Sequence, residues 1–140
     1  MKITLKDGSN LEVEQGICAL DIASKLSSKL KKAALAAKVN GKLTDLTAPI
    51  NEDASVEILT FEDEEGRWTL RHTASHVMAQ AVKRLYPNTK LAIGPAIDNG
   101  FYYDFDREEG SFSPSDFLAI EKEMKKIVSE NLPIERFTLP

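Results

Sequence analysis

The chain has a single cysteine, Cys18, so no disulfide can form within it, and a reducing compartment such as the cytoplasm is the setting it fits. Nothing around Cys18 resembles a metal or redox motif, and it reads as a small buried hydrophobe. No apolar run approaches the roughly 18 residues of a membrane span. The first residues, Met1-Lys2-Ile3-Thr4-Leu5-Lys6, alternate like a strand and have no signal-peptide core. An excess of basic charge is also missing. Residues 1–62 carry 8 Lys against 9 Asp or Glu, and residues 63–140 carry 10 basic against 13 acidic side chains, within a net charge of −4. Neither half has the global balance of a self-sufficient nucleic-acid binder, so any such contact must be local or shared with other parts. Histidine is scarce as well: His72 and His76 are the only two.

What is present is an ordinary globular composition, 42% hydrophobic and 29% charged over 140 residues. That suffices for one domain or two small ones. Two patterns are visible. In residues 1–62, Lys2–Leu5 and Leu11–Glu14 alternate like strands around the turn Lys6-Asp7-Gly8-Ser9. Leu20, Ala23, Leu26 and Leu30 then recur at helical spacing, which predicts a helix from about Ile17 to Leu30 with Leu20, Ala23 and Leu26 buried. Leu35–Val39 and Leu43–Thr44 flank Asn40-Gly41, a strong hairpin signal. Ser55–Leu59 reads as a closing strand. This order suggests a small mixed sheet holding one helix, a β-grasp or ubiquitin-like shape.

The acidic stretch Glu62-Asp63-Glu64-Glu65-Gly66 reads either as a linker or as the acidic start of a helix. Residues 63–140 form the second predicted unit. Arg67–Tyr86 reads as helix, with Gly66 before it and Pro87 ending it. Leu70, Ala74, Val77, Ala81 and Leu85 fall on one stripe, and His72, His76, Ala79 and Lys83 lie nearly opposite. Leu91–Ile97 is expected to be a strand containing Gly94-Pro95, and Asn99-Gly100 a turn into Phe101–Phe105. Phe101, Tyr103 and Phe105 share one face by alternation, the face expected to pack into the core. Ser113-Pro114-Ser115-Asp116 opens a helix whose predicted buried stripe is Phe117, Ile120, Met124, Ile127 and Val128. Glu121 and Lys125 form an i,i+4 pair on its surface, and Pro133 stops it. Ile134–Leu139 reads as one more strand, left without a partner, so the second unit is expected to be truncated.

The i,i+4 spacing in Arg71-His72-Thr73-Ala74-Ser75-His76 places both imidazoles on one helix face, one turn apart. Two such rings can share a metal ion or act together on one water, or they can be two solvated surface side chains. Two histidines alone leave further ligand positions to water, so no strong zinc site is expected.

The sequence resembles the N-terminal region of bacterial-type threonyl-tRNA synthetases. Residues 1–62 resemble the TGS domain that opens those enzymes. Residues 71–81 resemble the HxxxH helix of the editing domain shared by threonyl- and alanyl-tRNA synthetases. Ile93-Gly94-Pro95-Ala96-Ile97-Asp98-Asn99-Gly100-Phe101-Tyr102-Tyr103-Asp104 resembles the stretch that follows it. The resemblance implies an α+β architecture, a β-grasp domain followed by a truncated α/β editing-type domain. It implies catalytic roles for His72 and His76, the residues to hold a metal if one binds. It implies substrate-binding roles for Gly94 and Tyr103 at the terminal adenosine of tRNA.

It also implies that the pocket is completed by a downstream Cys-x-x-x-His motif. This chain has no histidine after His76 and no cysteine after Cys18. No cofactor is then expected in this stretch, since ATP, magnesium and zinc belong to the synthetic core, which also carries any homodimer contact. The rationale for editing is physical. Threonine and serine differ by one methyl, worth roughly 1–3 kcal/mol of discrimination, so a second site hydrolysing seryl-tRNA repairs the error. The alternative reading is a non-catalytic TGS-type module that recruits RNA or protein.

Overall fold

A computed structural model of the chain describes residues 1–92, 94, 96–97, 99–108, 110–133 and 139. It divides into two compact units, Met1–Leu70 and Arg71–Pro140.

The first unit opens with β1 (Lys2–Leu5) and β2 (Asn10–Glu12), an antiparallel pair joined at the turn expected around Gly8. A short β3 (Ile17–Cys18) leads into α1 (Ala19–Leu26) and α2 (Ser28–Ala33). The strands β4 (Ala36–Val39) and β5 (Lys42–Thr44) form the hairpin predicted by Asn40-Gly41, whose φ angles of 52° and 80° are those its tight turn requires. The chain continues through β6 (Pro49–Ile50), paired with β3, to β7 (Ala54–Leu59). The main sheet has the order β2-β1-β7-β4-β5, with β1 and β7 parallel at its centre. Ile3, Val13, Ile22, Ile50, Ala54 and Val56 form its buried core.

Two expectations for this unit need correction. The helix is broken at Ser27, whose extended backbone ends α1 and whose hydroxyl accepts from Leu30 N–H to start α2. Leu26, the last residue of α1, is 41% exposed, while Ile22 and Ala23 are fully buried. Cys18 is half-buried rather than buried, and its thiol donates to Asp21 Oδ2 at 3.1 Å. Burial pushes that thiol above its ordinary pKa.

Next comes α3 (Glu64–Leu85). It starts before the predicted Arg67, so Gly66 lies inside it. Thr60 N–H donates to the Asp63 carboxylate, and Glu64 and Glu65 occupy the first turn, where the helix dipole favours acids. The acidic stretch is thus largely helix start, and the division between the compact units falls further along, inside α3.

In the second unit the predicted strand over Leu91–Ile97 is interrupted. β8 (Lys90–Leu91) pairs with β11 (Phe105–Asp106), and β9 (Ala96–Ile97) pairs with β10 (Gly100–Phe101), both antiparallel. α4 (Pro114–Glu130) begins as expected: Ser113 and Asp116 close a capping box, with Pro114 at the first position. Ala81 and Val82 of α3 meet Ile120 and Ile127 of α4 in the core. The predicted buried stripe of α4 holds for Ile120, Met124 and Ile127 but not for Phe117 and Val128, which are 60% and 67% exposed. The expected strand at Ile134–Leu139 lies largely outside the described residues.

Candidate functional site

Apolar and polar residues are spread almost evenly around α3, so its sequence defines the buried face poorly. Beyond Gly66 near its start, the buried residues are Ser75, Ala79, Ala81 and Val82, with Val77, Met78 and Leu85 partly buried, while Leu70 is exposed. At about 100° per residue this arc ends next to His72 instead of opposite it. His72 is accordingly half-buried and His76 exposed. The expectation that both face away from the core is corrected for His72. Small residues at 75, 79 and 81 decide the buried face, and small side chains weigh little in a hydrophobic pattern.

The two rings meet. His72 Nε2 and His76 Nε2 are 3.2 Å apart, with ring centroids at 4.7 Å and planes at 85°. A hydrogen bond at this distance needs one nitrogen to donate and the other to accept. Ser75 Oγ donates to the His72 carbonyl at 2.6 Å from a fully buried position, tying down the turn that carries the pair. A tetrahedral ion with bonds near 2.1 Å holds two nitrogens about 3.4 Å apart, so the pair has nearly the bite of two ligand positions. Among the described residues no group of three or more His, Cys, Asp or Glu is placed to hold a metal.

Gly94 and Tyr103 form a second pair. A Cβ on Gly94 would lie 1.9 Å from Tyr103 Cδ2, so the Tyr103 ring packs directly on the backbone of residue 94 and leaves no room for a side chain there. Tyr103 also stacks on Phe105, with centroids at 4.9 Å and planes within 12°. Phe105 reaches the α3–α4 core beside Phe112. The alternation expected here holds: Phe101, Tyr103 and Phe105 are half-buried, while Tyr102 and Asp104 are exposed.

One supporting group escaped the sequence reading. Arg107 donates to Asp116 Oδ2 at 3.0 Å and lies 4.1 Å from the Tyr86 ring centroid, while Tyr86 OH donates to Asp116 Oδ1 at 2.7 Å. The helix-start motif marked Asp116, but no local pattern points to Arg107 or Tyr86. The Ser113 backbone N–H, then Tyr86 OH and the other donors, hold the Asp116 carboxyl well below the usual carboxylate range. Arg84 adds a bidentate pair with Glu130, both contacts at 2.9 Å, between α3 and α4.

Comparison with known proteins accords with this architecture. Residues 1–60 match the TGS domain. The chain is 62% identical over 138 residues to the threonine–tRNA ligase of Clostridium novyi, covering 99% of this chain and 22% of that protein. It is 61% identical over all 140 residues to the threonine–tRNA ligase of Clostridium tetani, and 60% identical to that of Clostridium botulinum strain Kyoto, again spanning 22% of each. No helix among the described residues is long and apolar enough to cross a membrane. The chain therefore carries a TGS domain, a β-grasp fold, over residues 1–60, and over its whole length is similar to the N-terminal regions of threonine–tRNA ligases.

Proposed function

We propose that this chain supplies an accessory TGS domain and the first half of an editing site to a cytoplasmic ligase that attaches threonine to its tRNA using ATP. The editing site hydrolyses mischarged seryl-tRNA. The observation that carries this reading is the contact between His72 and His76, one ring placed to donate and the other to accept. Such a pair can hold a water, take its proton as the water attacks the ester carbonyl, and return that proton to the terminal ribose oxygen as the acyl–oxygen bond breaks, releasing serine and tRNA. Tyr103, set by Phe105 and the close approach of Gly94, contributes an aromatic surface to the terminal adenosine. The sequence similarity to threonine–tRNA ligases supports the substrate class. By this reading the 140-residue chain alone does not hydrolyse seryl-tRNA, because the downstream Cys-x-x-x-His half of the pocket is not in it.

The test uses the ligase-length protein with His72→Ala and His76→Ala combined. Seryl-tRNA deacylation should be abolished while threonine charging stays within about twofold. Equal deacylation by parent and double variant would leave the histidines as surface side chains.

A further inference from the structure

Residues 1–62 are close to neutral overall, but their charge is segregated. Residues 22–44 contain Lys25, Lys29, Lys31, Lys32, Lys38 and Lys42 and no acid, so all nine acids of residues 1–62 lie outside that stretch. The structure sorts these lysines. Lys38 is neutralised by Glu65. Lys25 borders an open cleft that also contains Glu12, Glu14 and Asp21. Lys29, Lys31 and Lys32 all lie on α2, are exposed, and make no ion pair or hydrogen bond among the described residues. The break at Ser27 sets α2 apart from α1, and exposed Ser28, its first residue, adds a hydroxyl donor.

We propose that α2 and the Ser27 elbow form a docking face for the sugar-phosphate backbone of a double-helical RNA stem, contacted without regard to sequence. Charge complementarity commits the face to a polyanion. Its composition selects the kind of contact. Residues 1–60 contain no Phe, Tyr, Trp or Arg. Stacking on unpaired bases needs aromatic or guanidinium planes, and bidentate reading of base edges needs arginine, so α2 itself offers neither; Phe61, Arg67 and Trp68 of the same unit lie outside it. Lysine ammonium groups and hydroxyls remain, and these suit phosphates. The inference rests on the tRNA reading above, since a tRNA offers such stems, but it concerns a different surface from the histidine pair.

The test titrates the full chain with a labelled RNA hairpin between 50 and 200 mM salt. Three phosphate contacts predict a roughly 40-fold loss of affinity over that range. The K29Q/K31Q/K32Q triple variant should bind at least about tenfold more weakly at 50 mM salt and lose most of that salt dependence. K122Q/K125Q/K126Q, which removes three exposed lysines of α4, serves as the charge-matched control and should stay near the parent. Circular dichroism confirms that both variants fold. No salt-dependent binding by the parent, or equal losses in the two triples, would overturn the proposal. So would an equal effect of the α2 triple on binding to polyglutamate, which would reduce the face to unspecific attraction. If the α2 triple binds RNA like the parent while the histidine variant loses seryl-tRNA hydrolysis, the docking face fails and the editing site stands.

Discussion

Single residues in this chain are constrained by what lies within an ångström or two of them. Gly66 sits in the first turns of α3, where alanine would ordinarily add about 1 kcal/mol of helix stability. Here a Cβ would stand 2.1 Å from the Thr60 carbonyl oxygen. The steric cost should win, and Gly66→Ala should lower stability by about 1–3 kcal/mol, measured as a shift in urea midpoint at unchanged slope. Asp116 sets an acid limit of a different origin. Its carboxylate is stabilised in the fold by Ser113, Tyr86 and Arg107, so its folded pKa lies below the unfolded value near 3.8. Its contribution is therefore complete above about pH 4 and is lost as pH falls through the lower folded value. Asp116→Asn should flatten the loss of α3–α4 stability on acidification below pH 4. An identical acid profile in parent and variant would remove Asp116 from that role.

At the scale of elements, caps and breaks decide which side chains are buried. Ser27 ends α1 directly after Leu26; Ile22 is fully buried and Leu26 is not. Ile22→Ala should cost about 2–5 kcal/mol, whereas Leu26→Ala should cost less than about 1. In α4 the same contrast separates Ile127, which packs against Val82, from its exposed neighbour Val128. Ile127→Ala should cost about 2–5 kcal/mol and Val128→Ala less than about 0.5, both by chemical denaturation. Equal costs within either pair would contradict the assigned faces.

For the whole molecule, each unit has its own apolar core, one around Ile3, Ile22 and Val56 and one around Val82, Ile120 and Ile127. Separate cores predict separate opening. In native-state hydrogen exchange, Ile22→Ala should reduce protection of β1 and β7 while leaving α4 nearly unchanged. A uniform loss across both units would show that they unfold as one. The chain also spans only 22% of the length of the ligases it resembles.

The sequence by itself determined what depends on near neighbours along the chain. Strand alternation at Lys2–Leu5, the Asn40-Gly41 turn, the Ser113–Asp116 helix start and the one-turn spacing of His72 and His76 all rest on backbone geometry within a few residues. Tertiary structure decided what depends on partners far along the chain. It selected the buried face of α3, because the small residues Ser75, Ala79 and Ala81 that lie on it carry little hydrophobic signal. It brought the Tyr103 ring onto Gly94 and Arg107 onto Asp116, contacts that no short pattern encodes. It also neutralised Lys38 with Glu65 and left the lysines of α2 exposed, because pairing depends on which opposite charge the fold brings within reach.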